Sequence, residues 1–471
     1  LGIEGKFLSK LCETVIEGSK DGYPELDEKR DFIIKVIAEE EDKFNKTIDQ
    51  GLSILADMEQ ELEKSGKKVL GGADAFKLYD TYGFPMDLTK EILEEKNITI
   101  DEEGFTAAMN EQREKARKAR KTTNYMGADA TVYDEIDPAV TSKFVGYDKL
   151  VNESEITVLT TESEITEALS EGDKGTVIVD ESVFYATMGG QEGDCGIIKG
   201  ANGVFEVEDT IKLRGGKYGH VGVMKSGMIS NGEEVTLQVN EEARKNIEKN
   251  HSATHLLQKA LKTVLGAHVE QKGSLVTPTR LRFDFAHFQA MTPEELEKVE
   301  NLVNEKIQEQ IPVVTDIMDT EEAKKSGAMA LFGEKYGETV RVVTMGDGDE
   351  TASIEFCGGT HLDNTSRIGL FKIISESSVA SGVRRIEAVT GRGVLELVEE
   401  RAATIQQAAE SLKLANPLDI VKRCHTIMQE VKDLEKERDA LQAEITNLKT
   451  KSLFDNPYEV NGVKVVTAML T

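Results

Sequence analysis

The strongest structural signal in this chain comes from two short stretches, His251-Ser252-Ala253-Thr254-His255 and Cys357-Gly358-Gly359-Thr360-His361. In the first stretch, the spacing places two imidazoles one helical turn apart on the same face. The second stretch repeats the spacing with a thiolate, and its two glycines allow the backbone to bend tightly. Zn²⁺ binds such a mixture of nitrogen and sulfur ligands at tetrahedral geometry. The sequence therefore predicts one zinc site made of His251, His255, Cys357 and His361.

These four ligands are compatible with two kinds of zinc site. A closed shell of four protein ligands is typical of structural zinc and leaves no open position for a substrate. Catalysis requires that one ligand is loose or absent, or that the coordination expands to five. The residues alone leave both interpretations open.

Composition limits the class of protein around this site. A length of 471 residues favours two to four domains, and 39% hydrophobic with 30% charged residues is ordinary for a globular protein. The sequence has no apolar run of 18 residues or more and no signal-peptide pattern, so we expect no membrane partner. Scattered cysteines suit a reducing cytoplasm. The net charge of −29 argues against bulk affinity for nucleic acid.

Changes in apolar periodicity along the sequence predict a multidomain α+β protein. Periodic apolar positions predict a helical N-terminal region over 1–128, and short β-rich runs between glycine turns predict a small β-barrel over 129–240. Alternating helix and strand signals predict a two-layer α/β domain over 241–395 that holds the zinc ligands. A heptad-like rhythm predicts coiled-coil helices over 396–455. Residues 456–471 resemble the start of a further domain, and we expect the chain to be a fragment.

Several individual elements follow from local signals. We predict a long helix over Asp31–Glu63 and a ligand-bearing helix over Glu242–Val264. Thr292 and Glu295 form a predicted capping box. Within the barrel, a short strand is predicted at Val221–Met224.

Other catalytic motifs are absent from the sequence. It lacks the G-x-S-x-G elbow, the phosphate-binding G-x-x-x-x-G-K-[ST] loop and the H-E-x-x-H helix. The glycine-rich run Met188–Gly196 has no G-x-G-x-x-G spacing, so a dinucleotide site is not expected. Six basic residues, here called the basic stripe, lie in one predicted helical segment. They either contact phosphates or form a solvated helix face. The members of the basic stripe are Arg113, Lys115, Arg117, Lys118, Arg120 and Lys121.

Several motifs, in this order along the chain, resemble the alanyl-tRNA synthetase family. The stretches that carry the resemblance are Leu78–Pro85, Gly189–Asp194, His251–His255, Gln271–Ser274, Arg282–Phe285, Cys357–His361 and Gly382–Glu387. The first stretch resembles the family's helical tRNA-recognition region, and the second resembles the glycine-rich motif of its barrel. The other five resemble its editing domain. The coiled-coil segment resembles the link into the C-terminal dimerisation domain. The family's class II aminoacylation core, which binds ATP and alanine, should precede Leu1.

The resemblance implies an editing function for the chain. In this family the editing site hydrolyses Ser-tRNA(Ala) and Gly-tRNA(Ala), the esters of wrongly attached amino acids. We therefore expect one Zn²⁺ per chain, tRNA(Ala) as partner, a homodimer through the C-terminal region and a cytoplasmic location. ATP belongs to the missing core, so the chain is not expected to aminoacylate. The alternative is a tRNA-binding and dimerisation module whose zinc is purely structural.

The resemblance also implies roles for residues around the zinc. Gln271 is expected near the amino acid, and Thr254 is expected to discriminate its side chain, because a pocket that bonds the serine hydroxyl disfavours alanine. Thr254 is otherwise a helix residue that packs between its ligand neighbours. Arg384 and Arg385 are expected to contact the acceptor end, although either can instead pair with an acid.

Further tRNA contacts are expected in the helical region. Asp87 can accept a hydrogen bond from an exposed guanine amino group in the acceptor stem, or it can cap the helix that starts beside it. Arg113 and Arg117, from the basic stripe, are the expected phosphate contacts.

Overall fold

The computed structural model describes residues 6–119, 132–329, 337–346, 352–453 and 457–466, without the side chains of 115–119 and 450–453. The chain forms two compact units, Leu1–Gly391 and Arg392–Thr471. The first unit contains a helical region, a β-barrel and a mixed helix-and-sheet domain. The prediction of a multidomain α+β protein with a small barrel is therefore confirmed. The finer domain boundaries stay predictions.

Helices dominate the described part of the N-terminal region. Its elements are α1 (Leu8–Ser19), α2 (Pro24–Glu28), α3 (Arg30–Ser65), β1 (Val69–Leu70), α4 (Gly72–Asp80), α5 (Met86–Glu95), β2 (Thr99–Ile100) and α6 (Glu102–Ala119). The long predicted helix is confirmed as α3, which ends where Gly66 adopts a left-handed conformation with φ 67°. Leu55 of α3 packs with Leu78 and Phe84 in the core of this region. Gly51 admits Phe84, because a Cβ there would lie 2.0 Å from the phenyl ring.

A closed ring of six strands forms the barrel. The barrel region follows the helical region in the chain. Its strands are β3 (Lys143–Phe144), β4 (Val151–Thr160), β5 (Ile165–Thr166), β6 (Ala168–Ser170), β7 (Lys174–Val179), β8 (Glu181–Ser182), β9 (Gly196–Lys199), β10 (Gly203–Leu213), β11 (Lys217–Ser230) and β12 (Glu234–Val239). The ring runs β10-β9-β12-β4-β7-β11, and antiparallel pairing of β10 with β11 closes it. The predicted strand Val221–Met224 is the middle of the longer β11, which pairs with β6, β7 and β10.

The third domain places helices against an antiparallel sheet. Its elements are α7 (Glu241–Leu265), β13 (Gln271–Val276), β14 (Leu281–Ala286), α8 (Pro293–Gln308), β15 (Val313–Asp319), α9 (Thr320–Lys325), β16 (Thr339–Met345), β17 (Ser353–Phe356), β18 (Phe371–Ala380) and β19 (Val383–Thr390). One sheet has the order β13-β14-β19-β18, and a second has the order β15-β16-β17. Leu257 of α7, Val299 of α8 and Phe283 of β14 meet in a core that joins helices to sheet. The predicted capping box is confirmed, since Thr292 and Glu295 bond each other's backbone N–H at the start of α8.

The second unit consists mainly of two helices. Its elements are α10 (Arg392–Ser411), α11 (Ile420–Leu453), β20 (Tyr458–Val460) and β21 (Val463–Val465). Of the apolar positions in the predicted heptads on α11, Ile427 is half-buried and the others are exposed: Val431, Leu434, Leu441, Ile445 and Leu448. Among the described helices, none is long and apolar enough to cross a membrane.

Candidate metal centre

Helix α7 carries the first pair of predicted zinc ligands. Asn240 caps it by accepting a hydrogen bond from the backbone N–H of Ala243 at 3.1 Å. His251 and His255 lie one turn apart and are buried, with ring centroids separated by 5.5 Å and ring planes inclined by 16°. The predicted helical spacing therefore brings the two imidazoles onto one face.

The second pair lies on the loop that follows β17 and meets the first pair. Sγ of Cys357 is 3.5 Å from Nε2 of His251 and 3.1 Å from Nε2 of His361. Four ligand atoms, one from each of these residues and His255, all lie within 4.8 Å of one another. Two ligand pairs separated by about a hundred residues in sequence thus form one cluster.

The chemistry of this cluster fits a metal ion. Its donor set is three imidazole nitrogens and one sulfur, as Zn²⁺ prefers. Nε2 of His255 is buried and has no hydrogen-bond partner among the described residues. A buried polar atom without a partner is costly unless it binds something that the structure does not hold. A bound metal ion would satisfy it.

Each histidine has a polar partner at Nδ1, on the side of the ring away from the cluster. Nδ1 of His251 is 2.8 Å from Oε1 of Gln191. Nδ1 of His255 is 2.9 Å from Oε2 of Glu355, and Nδ1 of His361 is 3.3 Å from Oγ of Ser252. Such outer contacts orient the rings of metal-binding histidines. The supporting residues are Gln191, Glu355 and Ser252, and sequence reasoning missed all three.

The electrostatics of the cluster favour metal-binding protonation states at Cys357 and His361, whereas His255 must lose a proton before it can bind a metal. Burial lowers the pKa of His361 to about 3. Burial raises the pKa of the Cys357 thiol, but its interactions with the neighbouring imidazoles of His251 and His361 hold that pKa well below the usual range. Burial alone would lower the pKa of His255, yet the carboxylate of Glu355 raises it well above its ordinary value. A thiolate at Cys357 and a neutral ring at His361 are the forms that coordinate a metal.

The two glycines of the ligand loop have different surroundings. A Cβ on Gly359 would lie 2.1 Å from Cε1 of His251, so only glycine fits there. Arg341 donates to the carbonyl oxygen of Gly359 at 2.6 Å. The hydroxyl of Tyr147 donates to the carbonyl oxygen of Gly358 at 2.8 Å. The loop is therefore fixed at both carbonyls.

Of the two predicted pocket residues, Thr254 lies on the ligand-bearing helix α7 and Gln271 lies on β13. Thr254 is buried on α7, and its hydroxyl donates to the carbonyl oxygen of Asn250 at 2.8 Å. Gln271 is half-buried at the start of β13, opposite Phe285 of β14. Their roles toward a substrate stay predictions.

Both predicted arginines of β19 are paired with acids. Arg384 makes two contacts with Glu376, at 2.5 and 2.6 Å. Arg385 makes two contacts with Asp284, at 2.6 and 2.8 Å. The structure thus forms the acid pairs that the sequence left open for either residue, and it forms them for both.

The predicted contacts of the helical region lie on its surface. Asp87 is exposed in the first turn of α5, whose N-cap is Pro85. The alternative that Asp87 caps this helix is therefore wrong, because its side chain makes no cap hydrogen bond. Arg113 of α6 is exposed, whereas the side chain of Arg117 lies outside the described residues.

Comparisons with known proteins agree on one family. Residues 1–243 match the family model described as "tRNA synthetases class II (A)". Residues 340–387, which include Cys357 and His361, match the "Threonyl and Alanyl tRNA synthetase second additional domain".

The chain is 58% identical to alanine–tRNA ligase 1 of Lachnoclostridium phytofermentans, over 100% of this chain and 53% of that protein. It is 47% identical to alanine–tRNA ligase of Clostridioides difficile, over 99% of this chain and 53% of that protein. The enzyme of Bacillus subtilis is 45% identical, over 99% of this chain and 52% of its own length. The chain spans about half the length of the curated relatives it matches.

Proposed function

Because the chain belongs to the alanyl-tRNA synthetase family, a family of aminoacyl-tRNA synthetases that act in translation, we propose that it performs the editing reaction. The reaction is zinc-dependent hydrolysis of the ester in Ser-tRNA(Ala) and Gly-tRNA(Ala). The observation that carries the proposal is the convergence of His251, His255, Cys357 and His361 within 4.8 Å. We assign ATP-dependent attachment of alanine to the core of the parent enzyme and not to the residues of this chain.

The residues around the cluster have separate roles in this proposal. His251, His255, Cys357 and His361 would hold Zn²⁺, which would supply Lewis-acid character or help to position the terminal ribose. We favour positioning because four protein ligands would leave little room for hydroxide. Gln271 orients the amino acid or the attacking water from the start of β13. The hydroxyl of Thr254 donates to Asn250 and keeps its lone pairs free to accept a hydrogen bond from the serine hydroxyl. Alanine lacks that hydroxyl, so the same site favours serine.

We propose tRNA(Ala) contacts on exposed or charged side chains of the first unit. The carboxylate of Asp87 accepts a hydrogen bond from a guanine amino group in the acceptor stem. Arg113 and Arg117 contact phosphates. Arg384 and Arg385 each keep N–H donors beyond those that bond their acids, and these donors reach phosphate oxygens of the acceptor end.

We also propose homodimerisation through the C-terminal region and a cytoplasmic location. The exposed apolar positions of α11, including Leu434 and Leu441, support self-association because burial of such a row stabilises a coiled coil. A tRNA-binding and dimerisation module with structural zinc is the second candidate function. The closed set of four ligands favours it.

A deacylation assay separates these two candidates. The chain is incubated with Ser-tRNA(Ala) and with Ala-tRNA(Ala), and released amino acid and bound zinc are both measured. We expect serine release that is lost in Cys357→Ala and kept in Cys424→Ala, a matched control in which an exposed cysteine of α11 is replaced. A protein that binds zinc but releases no serine would leave the structural module as the correct candidate.

A further inference from the structure

Gln191 lies in the glycine-rich stretch between β8 and β9 of the barrel region, yet its side chain reaches the metal centre. It is fully buried, and its amide touches both a ligand and the ligand loop. We propose that Gln191 is a positioning residue of the metal centre, which orients His251 and makes the barrel a necessary part of the site. This inference rests on the metal site of the proposed function and deepens it.

The hydrogen bonds of Gln191 fix the orientation of its own amide. Oε1 accepts from the backbone N–H of Thr360 at 2.9 Å, and Nε2 donates to Oγ1 of Thr360 at 2.9 Å. A backbone N–H can only donate, so the opposite orientation of the amide would set two donors against each other. The oxygen must therefore face Thr360 N.

The same oxygen fixes the tautomer of His251. Oε1 of Gln191 is also 2.8 Å from Nδ1 of His251, and an amide oxygen can only accept. Nδ1 must therefore carry the hydrogen, which leaves the lone pair on Nε2. That nitrogen faces Sγ of Cys357 at 3.5 Å, the position required of a metal ligand.

The loop around Gln191 is attached to the third domain at two further places. The carbonyl oxygen of Gly190 accepts from the N–H of Val276 at 2.7 Å, and the N–H of Glu192 donates to the carbonyl oxygen of Val276 at 2.9 Å. Asp194 forms a fully buried ion pair with Arg244, which lies on α7 two turns before His251. These bonds hold the loop against both β13 and the ligand helix.

The residue that contacts Nδ1 of His251 comes from a different part of the chain than the residues that contact Nδ1 of His255 and His361. Ser252 and Glu355, which contact His361 and His255, belong to the third domain itself. Gln191 alone among these three supporting residues comes from the barrel region. Docking of the barrel therefore controls the orientation of one ligand, and the metal affinity of the site depends on it.

The test compares zinc affinity in variants of Gln191 with an exposed matched control. Gln191→Met removes both hydrogen-bonding ends, Gln191→Glu keeps an oxygen that accepts from Thr360 and His251, and Gln238→Met replaces an exposed glutamine of β12. Zinc dissociation constants come from competition with a chromophoric chelator, and Co²⁺ absorption spectra report the ligand geometry. Serine release from Ser-tRNA(Ala) is measured on the same samples.

We expect Gln191→Met to bind zinc about 10–100-fold more weakly, as for other residues that support metal ligands. Its Co²⁺ spectrum should change, while Gln191→Glu recovers most of the affinity and Gln238→Met matches the unaltered protein. A folded Gln191→Met with unchanged zinc affinity and an unchanged Co²⁺ spectrum would overturn the inference. If Gln191→Met does not fold, ¹⁵N-histidine NMR of the unaltered zinc-loaded chain decides, since metal bonded to Nδ1 of His251 would also overturn it.

The failure of the inference and that of the proposed function give different results. A chain that binds zinc and deacylates, with no effect of Gln191→Met on zinc, refutes only the role of Gln191. A chain that binds zinc without deacylating refutes only the editing reaction, and the effect of Gln191→Met on zinc affinity is still measured.

Discussion

Replacing Gly359 with alanine should disrupt the metal centre, whereas the same change at the neighbouring Gly358 should not. Neither glycine has a positive φ, so the backbone of both accepts alanine. The surroundings of the added methyl differ sharply. On Gly359 the Cβ would lie 2.1 Å from Cε1 of His251, and on Gly358 its nearest neighbour is Cε of Met188 at 3.7 Å.

The size of the effect follows from the displacement that the methyl forces. Ordinary contact begins at 3.4 Å, so the ring of His251 and the loop must separate by about 1.3 Å. Metal–ligand distances are tolerated only within about 0.2 Å. The loop cannot retreat freely, because Arg341 holds the carbonyl oxygen of Gly359. We expect Gly359→Ala to weaken zinc binding by at least about 100-fold, equivalent to about 2.7 kcal/mol.

Chelator competition measures this loss directly, with Gly358→Ala as the matched control. Far-UV circular dichroism of both variants checks that the chain is folded. A Gly359→Ala protein with zinc affinity within threefold of the control would refute the reasoning, since it would mean that His251 is not a ligand or that the loop moves without cost.

Three further predictions concern the metal and the barrel. Chelation of zinc should lower the melting temperature of the unaltered chain but not of Cys357→Ala, because an ion stabilises only the fold that binds it; equal shifts in calorimetry would contradict this. Asp194→Ala should lower the free energy of unfolding by about 3–5 kcal/mol, because it leaves Arg244 charged and buried without its partner; a loss below about 1 kcal/mol in urea titration would count against it. Burial lowers the pKa of His220 to about 4, against about 6.5 when unfolded, so the fold stabilises the neutral ring. Its contribution is present above pH 6.5 and is lost as the pH falls toward 4, which predicts a loss of about 2 kcal/mol from pH 7 to pH 5. Urea titrations should show a shallower pH dependence in His220→Gln, and an unchanged dependence would exclude this source.

Local spacing was enough to predict the ligands, because each pair lies within five consecutive residues, one on a helix and one on a loop. Four-residue spacing on a helix fixes the relation of His251 to His255, and α7 forms over nearly the predicted range. The capping box at Thr292 is equally local. Such features depend on residues within one or two turns, which the sequence displays directly.

Features that depend on distant partners could not be predicted in this way. Gln191 precedes His251 by 60 residues, and its contact exists only once the barrel docks on the third domain. The same applies to closure of the barrel, which depends on pairing of β10 with β11, and to the length of β11, whose last residues pair with β6. At Asp87 the error was local: Pro85 takes the N-cap position, which leaves Asp87 inside the first turn.

The unequal supports of the three histidines bear on the choice between structural and catalytic zinc. His251 and His255 have close partners at 2.8 and 2.9 Å, one amide oxygen and one carboxylate. His361 contacts a serine hydroxyl at 3.3 Å, the longest of these three distances. Under the proposed function, we infer that His361, the ligand with the longest supporting contact, would be the one to move, while His251, His255 and Cys357 would still hold the ion. Four ligands within reach of one ion are therefore compatible with catalysis, provided that the opening occurs on the side of His361.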